Sequence, residues 1–199
     1  MEITKIEKAG RKSRLYLNDA PAFCLYPSEI RKSGLKEGSQ MEEADLEKIC
    51  SEFLEKRAKK RCLMILKSAD KTEKQLRDKL RADEYPDRVI DCAIDYVKSF
   101  GYVNDLRYAC SYIERMQASR SILRIRTDLM KRGLSAAVIE EALQQSDAVD
   151  EQEQIRNLLK KRGFSGEEAS AQERQKMIRF LMGKGYRYAQ ISKEIDIEG

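Results

Sequence analysis

One pattern of six apolar positions occurs three times in this 199-residue chain with the same internal spacing, and few folds accommodate it. Leu76, Leu80, Tyr85, Val89, Ile90 and Ile94 are separated by steps of 4, 5, 4, 1 and 4. The steps return 49 positions later at Ile125, Leu129, Leu134, Val138, Ile139 and Leu143. They return again 52 positions beyond that at Met177, Leu181, Tyr186, Gln190, Ile191 and Ile195, where Gln190 is the one polar substitution. A step of four keeps residues on one helix face, and the step of five marks a turn between two helices. Each unit is therefore a helix-turn-helix whose apolar stripe needs a third helix or a neighbouring unit to cover it. The predicted fold is mainly α, with three tandem three-helix repeats in an elongated stack.

The first forty residues differ in kind. Ile3 and Ile6, Leu15 and Leu17, then Phe23, Leu25 and Tyr26 lie in short runs separated by Gly10-Arg11-Lys12-Ser13 and Asn18-Asp19-Ala20-Pro21, which read as turns. A small antiparallel sheet is expected there, too small to bury much apolar area alone and so leaning on the first helix or on a partner. One or two helical turns over Ser28 to Ser33 end at Gly34. The expected organisation is a β-rich extension at 1–40 and repeats at 41–105, 106–150 and 151–199. Nine helices are expected near 42–66, 73–82, 87–100, 105–117, 121–132, 136–146, 151–162, 171–183 and 187–196. Capping boxes are read at Ser39-Gln40-Met41-Glu42, Thr72-Glu73-Lys74-Gln75, Ser165-Gly166-Glu167-Glu168 and Ser170-Ala171-Gln172-Glu173. Gly101, Gly133, Gly163 and Gly185 each end a helical run. Ser146-Asp147-Ala148-Val149-Asp150 reads as a linker that lets the second and third repeats hinge.

Composition removes several classes of function. Histidine is absent, so the usual general base near neutral pH and the commonest transition-metal ligand are both missing. Five cysteines, Cys24, Cys50, Cys62, Cys92 and Cys110, are widely spaced and read as reduced thiols. No acidic cluster has metal-loop spacing and no glycine loop of the nucleotide-hydrolysing kind occurs, so neither metal nor cofactor is expected. No apolar run reaches membrane-spanning length and the opening residues lack a signal sequence, so a cytoplasmic protein is expected, with no membrane partner.

Net charge is only +5, so the placement of the bases matters more than their total. Arg115, Arg120, Arg124, Arg126, Lys131 and Arg132 face one acid, Asp128, in the second repeat. Lys160, Lys161 and Arg162, then Arg174, Lys176, Arg179, Lys184 and Arg187, continue the tendency in the third, as do Arg77, Lys79 and Arg81 in the first. Arg120, Arg124 and Lys131 fall on the exposed side of a helix that turns Ile122, Ile125 and Leu129 inward. Such a discontinuous stripe suits phosphates or an acidic protein groove, while the plainer reading is a solvated helix face. Tyr102, Tyr108 and Tyr112 have the spacing of core residues of the second repeat, the alternative being rings that stack on unpaired bases. Operator reading is disfavoured, because Ala136-Ala137-Val138-Ile139-Glu140-Glu141-Ala142-Leu143 lacks side chains that read base edges.

Lys71-Thr72-Glu73-Lys74-Gln75-Leu76-Arg77-Asp78-Lys79-Leu80, Gly101-Tyr102-Val103-Asn104-Asp105-Leu106-Arg107-Tyr108-Ala109 and Gly185-Tyr186-Arg187-Tyr188 resemble, in content and order, segments of the RecX family of recombination regulators. So do Lys131-Arg132-Gly133-Leu134 and Arg174-Gln175-Lys176-Met177-Ile178-Arg179-Phe180-Leu181, and the likeness covers about residues 55–199. The resemblance implies a non-enzymatic protein of three three-helix repeats that binds RecA recombinase filaments along their groove and limits recombinase, ATPase and coprotease activity. It also implies binding of single- or double-stranded DNA with low sequence preference. A module that acts only by occupying DNA, and a scaffold for an unrelated acidic partner, are the alternatives. The chain departs from the family at Ala82-Asp83-Glu84, where relatives tend toward basic residues and glycine, so a differently shaped turn and a less basic first repeat are expected.

Overall fold

The structure, a computed structural model, describes residues 1–146, 150–165 and 169–197. Most of the expected 146–150 linker, the middle of the capping box at Ser165 and the pair Glu167-Glu168 lie outside the described residues. The chain divides into two compact units, Met1–Asn104 and Asp105–Gly199.

The first unit opens with an antiparallel meander of β1 (Ile3–Ala9), β2 (Lys12–Leu17) and β3 (Ala20–Leu25). Two-residue turns join the strands, tighter than the four-residue turns expected. Asn18 and Asp19 both take positive φ, 47° and 64°, the geometry that matches the twist of a hairpin. Pro21, which has no N–H to give a ladder, sits on an edge strand. The other edge is covered: Ile3 N–H donates to the Ser39 carbonyl at 2.9 Å and Met41 N–H to the Met1 carbonyl at 2.7 Å.

After α1 (Pro27–Ser33), ended by Gly34 at φ 66°, come α2 (Glu43–Ile49), a π-helical turn (Cys50–Leu54) and α3 (Glu55–Ser68). These last three run end to end where a single helix is predicted. Glu42, rather than Ser39, caps α2; the Ser39 hydroxyl instead donates to the Lys36 carbonyl at 2.6 Å. Helices α4 (Glu73–Ala82) and α5 (Asp87–Ser99) complete the first repeat. Ile3, Leu15, Phe23 and Leu25 from the sheet pack with Leu54, Ala58, Leu76, Ile90 and Ile94 in one core, so the sheet does lean on the helices. Arg57 pins them from the side, donating to Glu29 at 2.9 Å and to the Cys24 carbonyl at 2.6 Å.

The departure at Ala82-Asp83-Glu84 changes the residue but not the turn. Glu84, Gly133 and Gly185 occupy equivalent positions and have φ of 63°, 91° and 93°. In each case the next residue reaches back five positions: Tyr85 N–H to the Leu80 carbonyl at 3.1 Å, Leu134 to Leu129 at 3.3 Å and Tyr186 to Leu181 at 3.3 Å. Glu84 tolerates the left-handed conformation because its carboxylate is held from the sheet, by Arg14 of β2 and by the Cys24 thiol of β3 at 2.7 Å. Burial and the Glu84 carboxylate push that thiol up to about 11, which leaves it unreactive at neutral pH.

In the second unit, α6 (Asp105–Met116), α7 (Ile122–Lys131) and α8 (Ala136–Gln145) enclose Ala109, Tyr112, Ile113, Ile125, Leu129 and Ile139. Helices α9 (Glu151–Lys161), α10 (Ala171–Gly183) and α11 (Tyr188–Ile197) enclose Ile155, Leu159, Leu181, Tyr186, Ile191 and Ile195. Ser121 caps α7 and Ser170 caps α10, each accepting from a backbone N–H at 3.3 Å. The two repeats meet through buried polar groups rather than through a bare hinge. The Ser121 hydroxyl donates to the Lys184 carbonyl at 2.9 Å, and Glu151 accepts from Ile122 N–H at 2.7 Å and from Gln190 Nε2 at 2.9 Å. Gln154 donates to the Gln117 carbonyl and accepts the Tyr186 hydroxyl at 2.7 Å. Buried polar groups are costly unless paired, and each of these is paired across or beside the joint. Gln190, the polar exception in the sixfold pattern, is the residue that fixes Glu151.

Candidate functional site

The basic residues expected to form one stripe fall into three groups. Arg120, Arg124 and Lys184 converge on a cleft of about 360 Å³ whose lining is completed by Ser119, Gly183 and Tyr186. Arg120 lies just before α7, Arg124 in its first turn and Lys184 at the end of α10, where the Ser121 hydroxyl joins the two elements. Asp128, whose side chain is 12% exposed, accepts from Arg120 and from the Tyr112 hydroxyl at 3.1 Å and forms an ion pair with Arg124 at 3.6 Å. The single acid of the stretch therefore orients two cations without cancelling them, leaving three positive groups against one half-buried negative one. In a low-dielectric cleft this excess focuses a positive potential outward.

A second group lies on exposed faces of the same two repeats. Lys131, Lys160, Lys161, Lys176, Arg179 and Arg187 are solvent-exposed, as is Arg115, which donates to the Ser111 carbonyl at 3.0 Å. Lys160 and Lys161 close α9, where cations are favoured by the helix dipole. Arg162 and Lys184 approach the Phe180 ring from α9 and α10, at 3.7 and 5.1 Å from its centroid, tying the third repeat's basic ends together.

The third group is occupied inside the fold. Arg126 forms a paired contact with Glu140 at 2.5 and 2.8 Å, and Arg132 lies 4.8 Å over the Tyr112 ring while donating to the Tyr108 hydroxyl at 3.3 Å. Arg174 is half-buried and donates to the Ala169 carbonyl at 3.3 Å. Arg126 ties α7 to α8 and Arg132 ties the end of α7 to α6, while Arg174 is held by the segment leading into its own helix. In the first repeat Arg77 is tied to Glu73 at 2.8 Å and Asp91 at 2.6 Å, and Arg81 to Asp87 at 3.1 Å. The stripe there is interrupted by acids, as the less basic first repeat requires.

Tyr112 is buried and Tyr108 half-buried in the second repeat's core, as their spacing predicts. Tyr102 is not part of that core: it is exposed in the first unit beside Phe100. Sequence reading missed Phe100 and Tyr96 there, although both lie off the apolar stripe of α5 and so signal rings with no core to enter. Among the described residues no group of three or more acidic, cysteine or histidine side chains is placed to hold a metal ion. No described helix is long and apolar enough to cross a membrane.

The chain is similar to known proteins along nearly all its length. Family models of RecX match it three times, the first three-helix domain over residues 58–96, the second over 104–143 and the third over 150–195. A Regulatory protein RecX from Clostridium perfringens (strain SM101) is 30% identical over 197 residues, covering 94% of this chain and 91% of that protein. One from Clostridium tetani is 29% identical over 201 residues, covering 98% and 93%. A crystal structure of regulatory protein RecX superposes with a TM-score of 0.65 over 98% of both chains at 22% identity. That of RecX from Lactobacillus salivarius gives 0.63 over 73% of this chain and 96% of its own at 25% identity.

Proposed function

Because the chain belongs to the RecX family of regulatory proteins, we propose that it regulates the RecA recombinase in the cytoplasm, by binding RecA filaments on DNA and restraining their recombinase, ATPase and coprotease activity. It does so without chemistry of its own. The observation that supports this is the cleft where Arg120, Arg124 and Lys184 converge. It is a preformed positive surface built from two repeats, on which Lys131, Lys160, Lys161 and Arg187 are exposed as well. A helical-repeat surface of this kind contacts several neighbouring acidic groups at once, so modest individual contacts combine.

The cleft's cations also suit backbone phosphates, which supports a second reading in which DNA of either strandedness is bound with low sequence preference. The two are separated by titrating the single-strand-dependent ATPase of the cognate RecA with this protein while measuring its own DNA affinity. Inhibition well below the DNA dissociation constant supports the filament reading. Inhibition only once DNA is saturated supports occupation of DNA alone, and no inhibition at any concentration removes the RecA reading.

A further inference from the structure

The first unit carries an exposed aromatic surface that neither the core nor the basic cleft uses. Tyr96, Phe100 and Tyr102 are 36%, 57% and 50% exposed. They touch one another all the same: Tyr96 and Phe100 meet edge to face at 5.0 Å, and Phe100 and Tyr102 lie within 19° of parallel at 5.8 Å. Leu63 and Met64 of α3 are exposed as well. Helix α3 runs alongside α5, with Cys92 bonded to Glu55 and Lys59 lying 5.5 Å over the Tyr96 ring. Leu63 lies four residues beyond Lys59 on α3, as Phe100 lies four beyond Tyr96 at the end of α5. Isolated exposed apolar residues are ordinary, but a contiguous set with rings already ordered marks a contact surface.

The charge beside the patch indicates what it meets. α3 carries Lys56, Arg57, Lys59, Lys60, Arg61 and Lys67 against one acid, Glu55. Lys56, Lys60 and Lys67 are exposed, and among the described residues no ion pair holds them. The neighbouring helix α5 is less favourable to anions, since Asp91 and Asp95 are exposed on it. A polyanion approaching the rings is thus directed along α3. We propose that Phe100 and Tyr102, with Tyr96 behind them, form a base-stacking platform for single-stranded nucleic acid, with its phosphates running along the lysines of α3. Ordered rings beside a line of cations are what unpaired bases recognise, and a duplex, whose bases are already stacked, gains nothing from the rings. This needs no RecA; its ligand class rests on the DNA reading above, to which it adds a single-strand site in the first unit.

The test is fluorescence anisotropy of the full chain with a labelled oligothymidylate and with a matched duplex, across a salt series. Phe100→Ala and Tyr102→Ala should each weaken single-strand binding by roughly tenfold while leaving duplex affinity and the salt slope unchanged. Phe100→Trp should retain the affinity, which excludes a mere folding defect. Lys60→Ala with Lys67→Ala should instead flatten the single-strand salt slope by about one. Equal single-strand affinity in Phe100→Ala and wild type overturns the proposal, as does an equal loss for single strand and duplex. Concentration-dependent self-association that Phe100→Ala abolishes, without any change in oligonucleotide binding, assigns the patch to a second copy of the chain and overturns it equally.

Discussion

The Ser121 hydroxyl donates to the Lys184 backbone carbonyl at 2.9 Å while accepting from Arg124 N–H at 3.3 Å. One side chain therefore caps the start of α7 and receives the end of α10, and the two walls of the basic cleft are fixed to each other through it. Gly185 follows immediately, and a Cβ there would sit 2.6 Å from the Ser121 oxygen.

Gly185→Ala should consequently destabilise the second unit by about 2 kcal/mol or more, combining left-handed strain with the clash. Gly163→Ala is the control, because Gly163 also has positive φ, 64°, but meets nothing within 4 Å. It should cost about 1 kcal/mol. Urea unfolding of the two variants measures the difference, and equal costs would mean that the joint is not tightly packed.

At the matching turn of the first repeat the ordinary preference for alanine over glycine should reverse. Glu84 has φ of 63°, so Glu84→Ala keeps the strain and loses the carboxylate, whereas Glu84→Gly loses the carboxylate and relieves the strain. The glycine variant should be the more stable of the two by about 1 kcal/mol. Thermal unfolding of the pair decides it.

Acid should loosen the first unit. Hydrogen bonds from Arg14 and then Cys24 hold the Glu84 carboxyl below its ordinary value of 4.5. Glu73 is also lowered: burial would raise it, but hydrogen bonds from Lys98 and Arg77 outweigh that effect. A carboxyl depressed in the folded state contributes stability above its unfolded value, and that contribution is lost as pH falls through the lower folded value. Stability of the wild type should therefore decline below about pH 4.5, and Glu84→Gln should show a shallower decline. Identical pH profiles would contradict the Glu84 contribution.

Much of this architecture is legible in the apolar steps, because a repeated helix face is a one-dimensional signal. Thr72, Ser170, Gly133 and Gly185 sit where caps and stops are expected for the same reason: each acts on backbone within a few residues. What escapes the sequence is long-range pairing. Nothing near Arg126 or Arg132 reveals that Glu140, the Tyr108 hydroxyl and the Tyr112 ring hold them, so a sequence count makes the second repeat's face more basic than it is. Gln190 is a visible anomaly whose partner, Glu151, lies 39 positions away and becomes identifiable only once the repeats are folded together. Tyr102 misleads because spacing alone does not tell which unit a residue at a boundary joins.

Asp128→Asn separates orientation from charge in the cleft. Removing one negative charge should strengthen binding to DNA at low salt and steepen its dependence on log salt by up to about one. It should also lower stability by about 1–2 kcal/mol, since Arg120 and the Tyr112 hydroxyl lose a charged acceptor. Anisotropy across a salt series, paired with urea unfolding, measures both effects.

The most direct test of the regulatory account is charge reversal in the cleft. Arg120→Glu, Arg124→Glu and Lys184→Glu, combined in one full-length protein, should leave helical content near wild type and reduce binding to RecA filaments on single-stranded DNA at least tenfold. Inhibition of the ATPase should weaken to match. Arg77→Glu with Arg81→Glu, in the acid-paired first repeat, should leave filament binding nearly unchanged. Wild-type inhibition by a folded cleft variant would contradict the claim that this surface carries the activity.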